Sequence, residues 1–101
     1  TRKIAAMVQA EGKVFTPHTW TNGIGLVANL HCAAAGANVP YIEFPYDPPN
    51  WTPEARDFIF REPLWIDSEG YVKVPDKPGL GLDLDEEKMA KYEVPERGQL
   101  I

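Results

Sequence analysis

The stretch Val14-Phe15-Thr16-Pro17-His18-Thr19-Trp20 decides how the rest of the chain is interpreted. Its first residues are apolar or β-branched and predict a short buried strand over residues 13–16. Pro17 ends that strand, because proline has no N–H to donate to a neighbouring strand. His18 thus follows the carboxyl end of a strand, the edge where α/β proteins bind ligands. Histidine at this edge is a candidate general acid or base, or else a purely structural residue.

The composition of the 101 residues is that of at most one ordinary globular domain. A formal net charge of −5, with no cluster of lysine and arginine, argues against nucleic-acid and acidic-membrane partners. No run of about 18 apolar residues is present that could cross a bilayer. The single cysteine, Cys32, excludes an internal disulfide and fits a cytoplasmic location. Among alanines, it is more typical of packing than of a nucleophile.

Helical periodicity occurs on both sides of the predicted strand. The first segment predicts a helix that ends at Gly12, with no clear start signal before it. A second helix is predicted from about Asn22 to Ala35, since its apolar residues form one stripe: Leu26, Val27, Leu30, Ala33 and Ala34. Gly23 and Gly25 weaken its first turn, so we expect the backbone there to approach a ligand or a neighbouring strand closely.

A second proline-ended apolar run, Val39 to Pro45, predicts a strand over residues 41–44. Strand, helix and strand in this order predict a parallel βαβ unit with a right-handed crossover. Glu43 lies between two apolar residues, and an ionised carboxylate is costly to bury. It is therefore expected either to face a polar site or to be paired. Because parallel strands end at the same edge, His18 and Glu43 are expected to lie together.

The rest of the chain predicts shorter elements. These are a helix from Pro53 to about Phe60, a hairpin of strands 64–67 and 71–74, and a helix from Asp85. Helix capping and the helix dipole explain the acidic residues near that last helix, so we assign no metal to Asp83, Asp85, Glu86 and Glu87. Two parallel strands cannot form a core covered on both faces. We therefore expect this chain to be the carboxyl-terminal end of a larger α/β protein.

Several motifs resemble one known family. Residues 15–20, the helical segment Leu30-His31-Cys32-Ala33-Ala34-Ala35 and Tyr41-Ile42-Glu43 resemble the end of the barrel in the enolase superfamily. The closest likeness is to the mandelate racemase/muconate lactonizing enzyme family, which includes many acid-sugar dehydratases. Residues 66–75 and Pro78-Gly79-Leu80-Gly81 are similar to its carboxyl-terminal hairpin and PGLG segment. The resemblance covers nearly the whole chain.

The resemblance implies an α/β fold with two parts. Residues 1–62 would form the last βαβ unit of a (β/α)8 TIM barrel, and residues 63–101 a hairpin and tail packed on a capping domain. That domain and the earlier strands would belong to the rest of the same polypeptide. The intact protein is expected to be a homo-oligomer.

The resemblance also implies the chemistry. His18 would end the seventh barrel strand and act as general base or acid, oriented by an aspartate on the preceding strand. Glu43 would end the eighth strand and hydrogen-bond the substrate carboxylate, and Trp20 would line the substrate site. Mg²⁺, with its ligands on earlier strands and none in this stretch, would stabilise the enediolate formed by loss of the proton next to the carboxylate.

Three functions stay open at this point. The first is dehydration of an acid sugar to a 2-keto-3-deoxy acid, and the second is racemisation or epimerisation of a 2-hydroxy acid by the same family. The third is a small acidic binding or structural domain without catalysis, which would fold alone. A protein with the superfamily fold but without the activity is also conceivable. In each enzymatic case the substrate is a small carboxylate.

Overall fold

The computed structural model describes residues 1–94, and four helices occur in that part of the chain. They are α1 (Arg2–Ala10), α2 (Gly23–Ala34), α3 (Pro53–Arg56) and α4 (Glu86–Ala90). All four lie where the sequence predicts a helix. Loops and turns connect them, and three isolated antiparallel bridges join Asp47 to Trp51, Phe60 to Leu84 and Ile66 to Val72. None of the helices of residues 1–94 is both long and apolar enough to traverse a bilayer.

The predicted strands 13–16 and 41–44 are not observed as strands. Within residues 1–94 neither segment forms a β-ladder, so the predicted parallel βαβ unit is absent from this part of the chain. The Phe15 N–H donates instead to the Asn38 carbonyl at 2.9 Å. The Asn38 amide donates to the Lys13 carbonyl at 3.2 Å. Strand pairing requires a second extended segment in register, and neither segment has one among the described residues.

Helix α2 carries most of the buried apolar surface. Four members of the predicted stripe are 8% exposed or less, namely Leu26, Val27, Leu30 and Ala33, whereas Ala34 is exposed. Phe60 is the remaining buried hydrophobic residue of the described part. The Cα radius of gyration is 16.1 Å, against about 13 Å for a compact domain of 100 residues. The core is therefore thin, and α2 is the element around which the loops are arranged.

The two glycines of α2 are explained by packing within the chain. A Cβ atom on Gly23 would lie 2.7 Å from the Phe60 ring and 2.8 Å from the Asp57 carboxyl carbon. A Cβ atom on Gly25 would meet the Thr21 hydroxyl. The close approach that the sequence predicts therefore exists. The neighbours are the Asp57 and Phe60 side chains for Gly23 and the Thr21 side chain for Gly25.

Helix α3 ends four residues earlier than predicted. Its start is as expected, with Pro53 in the first turn and the Thr52 hydroxyl accepting from the Ala55 N–H at 3.5 Å. At Asp57 the backbone leaves helical geometry (φ −102°, ψ 30°). The Asp57 carboxylate accepts from the Leu64 N–H at 2.7 Å, which requires the chain to fold back after one helical turn.

The predicted hairpin is present in reduced form. The Asp67 N–H donates to the Tyr71 carbonyl at 2.8 Å, and Gly70 closes the turn with φ 88°. Pairing extends over the single bridge from Ile66 to Val72, so the two four-residue strands are not formed. Helix α4 begins as predicted, because the Asp85 carboxylate accepts from the Lys88 N–H at 3.0 Å. Residues 95–101 of the predicted tail lie outside the described residues.

Candidate active site

The structure brings His18 and Glu43 together. Nδ1 of His18 lies 2.5 Å from Oε2 of Glu43, although the two residues are 25 positions apart. The side chains are 68% and 41% exposed, respectively. A carboxylate only accepts hydrogen bonds, so in the neutral imidazole Nδ1 carries the proton and Nε2 carries the lone pair. The arrangement therefore leaves a basic nitrogen on an accessible ring.

The resemblance implies that an aspartate on a preceding strand orients the imidazole, and that residue stays a prediction. Among residues 1–94 it is Glu43 that contacts the His18 ring. Because a carboxylate on one ring nitrogen fixes the tautomer and the orientation of the other, Glu43 supplies that orienting contact here.

Asn29 of α2 holds the backbone at His18. Its side-chain amide donates to the His18 carbonyl at 3.1 Å and also to the Thr19 hydroxyl. The preceding residue, Pro17, is buried. The sequence does not single out Asn29 as a site residue, although it is one of two polar residues inside the apolar run of α2, with His31. The helix that forms the core thus also positions the histidine.

Arg56 and Asp57 hold the segment that follows Glu43. The guanidinium of Arg56 stacks over the Phe44 ring, 4.5 Å from its centroid, and donates to the Pro45 carbonyl at 3.2 Å. The side chains of Arg56 and Asp57 are fully buried. They are paired twice, from Nε to Oδ1 at 2.7 Å and from Nη2 to Oδ2 at 2.6 Å. The sequence does not predict this pair, whose signal is its position directly before the apolar residues 58–60.

Trp20 lies two residues after His18, and 49% of its surface is exposed. Its indole stacks on that of Trp51, with ring centroids 6.2 Å apart and an angle of 17° between the planes. The Asp47–Trp51 bridge holds Trp51 at the end of its loop. The structure therefore places a half-exposed aromatic wall in the His18 loop. Its contact with substrate stays a prediction.

The described residues do not fit a Mg²⁺ site. No group of three or more His, Cys, Asp or Glu side chains within residues 1–94 is arranged to hold a metal ion. The acidic residues near α4 have other partners, since Asp83 pairs with Arg61 at 3.2 Å and Asp85 caps the helix. The hydrogen bond from the Lys88 N–H holds the pKa of Asp85 below its ordinary value of 3.8.

Helix α2 also carries His31 and Cys32. Nε2 of His31 lies 3.0 Å from the Leu80 carbonyl oxygen, so His31 donates to that oxygen and connects α2 to the PGLG segment. Cys32 is a free, partly buried thiol on the same helix. The partly buried position of Cys32 agrees with the packing role that the sequence favours for this residue.

Within residues 1–94 the structure thus combines four helices, three bridged loop contacts and an acid–base pair that follows two apolar segments. The chain belongs to the enolase C-terminal domain-like family, whose model matches residues 1–88. That family has an α/β fold associated with the TIM barrel. The resemblance derived from the motifs is thereby confirmed.

Characterised relatives carry enzyme names. The chain is 39% identical over 90 residues to the arabinonate dehydratase of Saccharolobus solfataricus. These residues cover 89% of this chain and 22% of the relative. It is 34% identical over 91 residues to the D-galactonate dehydratase of Klebsiella pneumoniae, covering 86% and 23%. It is 29% identical over 99 residues to the D-galactarolactone cycloisomerase of Agrobacterium fabrum, covering 94% and 26%. The chain thus spans about a quarter of the length of these relatives.

Proposed function

We propose that this chain is the carboxyl-terminal part of an enolase-superfamily enzyme that dehydrates an acid sugar to a 2-keto-3-deoxy acid. The observation that carries the proposal is the 2.5 Å contact between His18 Nδ1 and Glu43 Oε2. Two of the relatives above are named as dehydratases of sugar acids, which supports this substrate class. Residues 1–62 would contribute the last barrel segments, and residues 63–101 the hairpin and tail that pack on a capping domain.

His18 is the proton carrier in this proposal. Its Nε2 removes the proton from the carbon next to the substrate carboxylate, and the pair of electrons enters an enediolate. His18, now protonated, gives that proton to the departing 3-hydroxyl, so water leaves and the resulting enol becomes the 2-keto-3-deoxy acid. The atoms balance, because the substrate loses one water and nothing else. Such proton transfer by a positioned histidine contributes about 10²–10⁴-fold to the rate.

Glu43 has two oxygens with separate tasks. Oε2 is occupied by the imidazole, which leaves Oε1 for the substrate carboxylate. Two ionised carboxylates repel each other at this distance, so a proton must be shared between Oε1 of Glu43 and the substrate carboxylate. We assign the aromatic wall of the site to Trp20. Mg²⁺, which stabilises an enediolate when bound, would be held by residues outside residues 1–94.

Racemisation or epimerisation within the same family is the second candidate. It is supported by the relative that is named as a cycloisomerase, since that name describes an isomerisation and no loss of water. The product distinguishes the two, since dehydration gives a 2-keto-3-deoxy acid and racemisation inverts the α-carbon. A non-catalytic domain is disfavoured by the thin core of the described residues. We also propose that the intact enzyme is a homo-oligomer.

The test is the replacement His18→Asn in the intact protein. We expect α-proton exchange into D₂O, followed by NMR with galactonate and arabinonate as probes, to fall about 10²–10⁴-fold. The matched control is His31→Asn, because the His31 ring donates to the Leu80 carbonyl of the PGLG segment and has no other hydrogen bond among residues 1–94. It should exchange at the wild-type rate. Exchange that continues unchanged in the His18 variant would remove the role we assign to this residue.

A further inference from the structure

The ion pair of Arg56 and Asp57 is unusual because both charged side chains are completely buried. Both side chains have no exposed surface, and the two residues are neighbours in the sequence. Burial of two charges costs several kcal/mol per ion unless their hydrogen bonds are nearly complete. A pair of apolar residues fills such a position at less cost in free energy. The pair is therefore expected to fix a particular arrangement of the chain.

The guanidinium of Arg56 connects three segments. Nε and Nη2 bind the Asp57 carboxylate, Nη2 also donates to the Leu64 carbonyl at 2.7 Å, and Nη1 donates to the Pro45 carbonyl. Four hydrogen bonds thus use four of its five N–H groups. Its flat face covers the Phe44 ring. Phe44 and Pro45 follow Glu43 directly, and Leu64 leads into the hairpin.

We propose that Arg56 is a positioning residue for Glu43, an inference that rests on the proposed function. The Phe44 and Pro45 contacts fix the backbone one and two residues after Glu43. Asn29 fixes the backbone at His18 from the other side. The 2.5 Å contact between the imidazole and the carboxylate thus depends on two separate supports, one of which is the buried guanidinium.

An arginine is required for this task. Its planar fork binds both oxygens of Asp57 while it stacks on Phe44, whereas a lysine offers donors from one point and no flat face. Arg56→Lys keeps the positive charge beside Asp57. The lysine side chain loses the stacking on Phe44 and cannot donate hydrogen bonds to the Pro45 and Leu64 carbonyls at the same time. The substitution therefore separates the geometric contribution of Arg56 from its charge.

The experiment measures kcat and KM for galactonate and arabinonate with Arg56→Lys in the intact enzyme. Misplacement of a catalytic group by about 1 Å costs on the order of 10²-fold in rate. We expect kcat to fall about tenfold or more, with KM changed about twofold at most. Arg61→Lys is the matched control. It makes the same chemical change at a residue whose ion pair, with Asp83, is exposed. It should keep wild-type kcat.

A stability control separates positioning from folding. Phe60→Leu disturbs the buried contact with Gly23, and Phe60 is not a hydrogen-bond partner of the Arg56 guanidinium. If Phe60→Leu lowers the melting temperature as much as Arg56→Lys and loses as much kcat, Arg56 is merely structural. Should Arg56→Lys not fold, Phe44→Leu decides, because it removes only the ring beneath the guanidinium. A loss of about threefold in kcat supports the proposal, and an unchanged kcat overturns it.

Failure of this inference differs from failure of the proposed function. If the wild-type enzyme exchanges no α-proton of either probe, the proposed function fails. If the wild-type enzyme is active and Arg56→Lys has the same kcat, only the positioning role of Arg56 fails.

Discussion

Replacement of Gly23 by alanine should destabilise the protein, although alanine is the better helix former. Gly23 is the first residue of α2 and is buried. In an open helix, the exchange of glycine for alanine stabilises by up to about 1 kcal/mol. Here the added methyl group would collide with the Asp57 carboxylate and lie 2.7 Å from the Phe60 ring.

The magnitude depends on whether the Asp57 carboxylate can move away. Its oxygens accept hydrogen bonds from Arg56 Nε, Arg56 Nη2 and the Leu64 N–H, all at 2.7 Å or less. Overpacking of a buried site costs about 1–3 kcal/mol. Breaking one side of a buried ion pair costs about 3–5 kcal/mol. After the gain in helix propensity, we expect a net loss of about 2–4 kcal/mol, since the carboxylate is displaced but keeps part of its pairing.

The assay is urea unfolding of the intact protein, followed by circular dichroism. Gly25→Ala is the matched control two residues along the same helix. Its methyl group would meet the Thr21 hydroxyl, which belongs to an exposed side chain that can rotate. We expect this variant to lie within about 1 kcal/mol of the wild type. A Gly23→Ala protein that is as stable as the wild type would show that the Asp57 carboxylate is not held as described.

Two further predictions concern the loop of the histidine and the last helix. Asn29→Leu removes the donor to the His18 carbonyl, and we expect kcat to fall about tenfold or more. Thr19→Val keeps that donor, so its kcat should fall less. The second prediction is a pH dependence of stability. Because the folded pKa of Asp85 lies below 3.8, its contribution is complete above that pH and is lost as the pH falls through the lower folded value. Asp85→Asn keeps a capping oxygen, so its urea midpoint should change less than that of the wild type between pH 5 and pH 2. Equal changes in both proteins would remove Asp85 from the acid response.

The sequence identified the helices better than the strands, for a physical reason. The apolar stripe and the flanking residues of α2 are local signals, and the helix lies within one residue of its prediction at each end. A strand exists only with a partner. Residues 13–16 and 41–44 have the composition of strands, yet no neighbour is in register with them among the described residues. Their barrel arrangement therefore stays a prediction.

The sequence predicts that His18 and Glu43 lie together, and the structure shows this contact, whereas their catalytic roles stay predictions. Both residues are recognisable in the sequence because each is a titratable residue beside a proline-ended apolar run. Asn29 and Arg56 were missed because an amide or a charge on a helix is usually a solvated group. Only the tertiary structure shows that both side chains turn inward to bind carbonyl groups of the site loops.

The loop between Asp47 and Trp51 has a closed neck. The N–H of each residue donates to the carbonyl of the other, at 2.7 and 2.9 Å, and residues 48–50 outside that neck are exposed. Changes in the length or composition of residues 48–50 are therefore isolated from Glu43 on one side and α3 on the other. This short span is a natural place for loop grafting and for sequence libraries, because new residues can be introduced beside the tryptophan pair while the contact between His18 and Glu43 is kept.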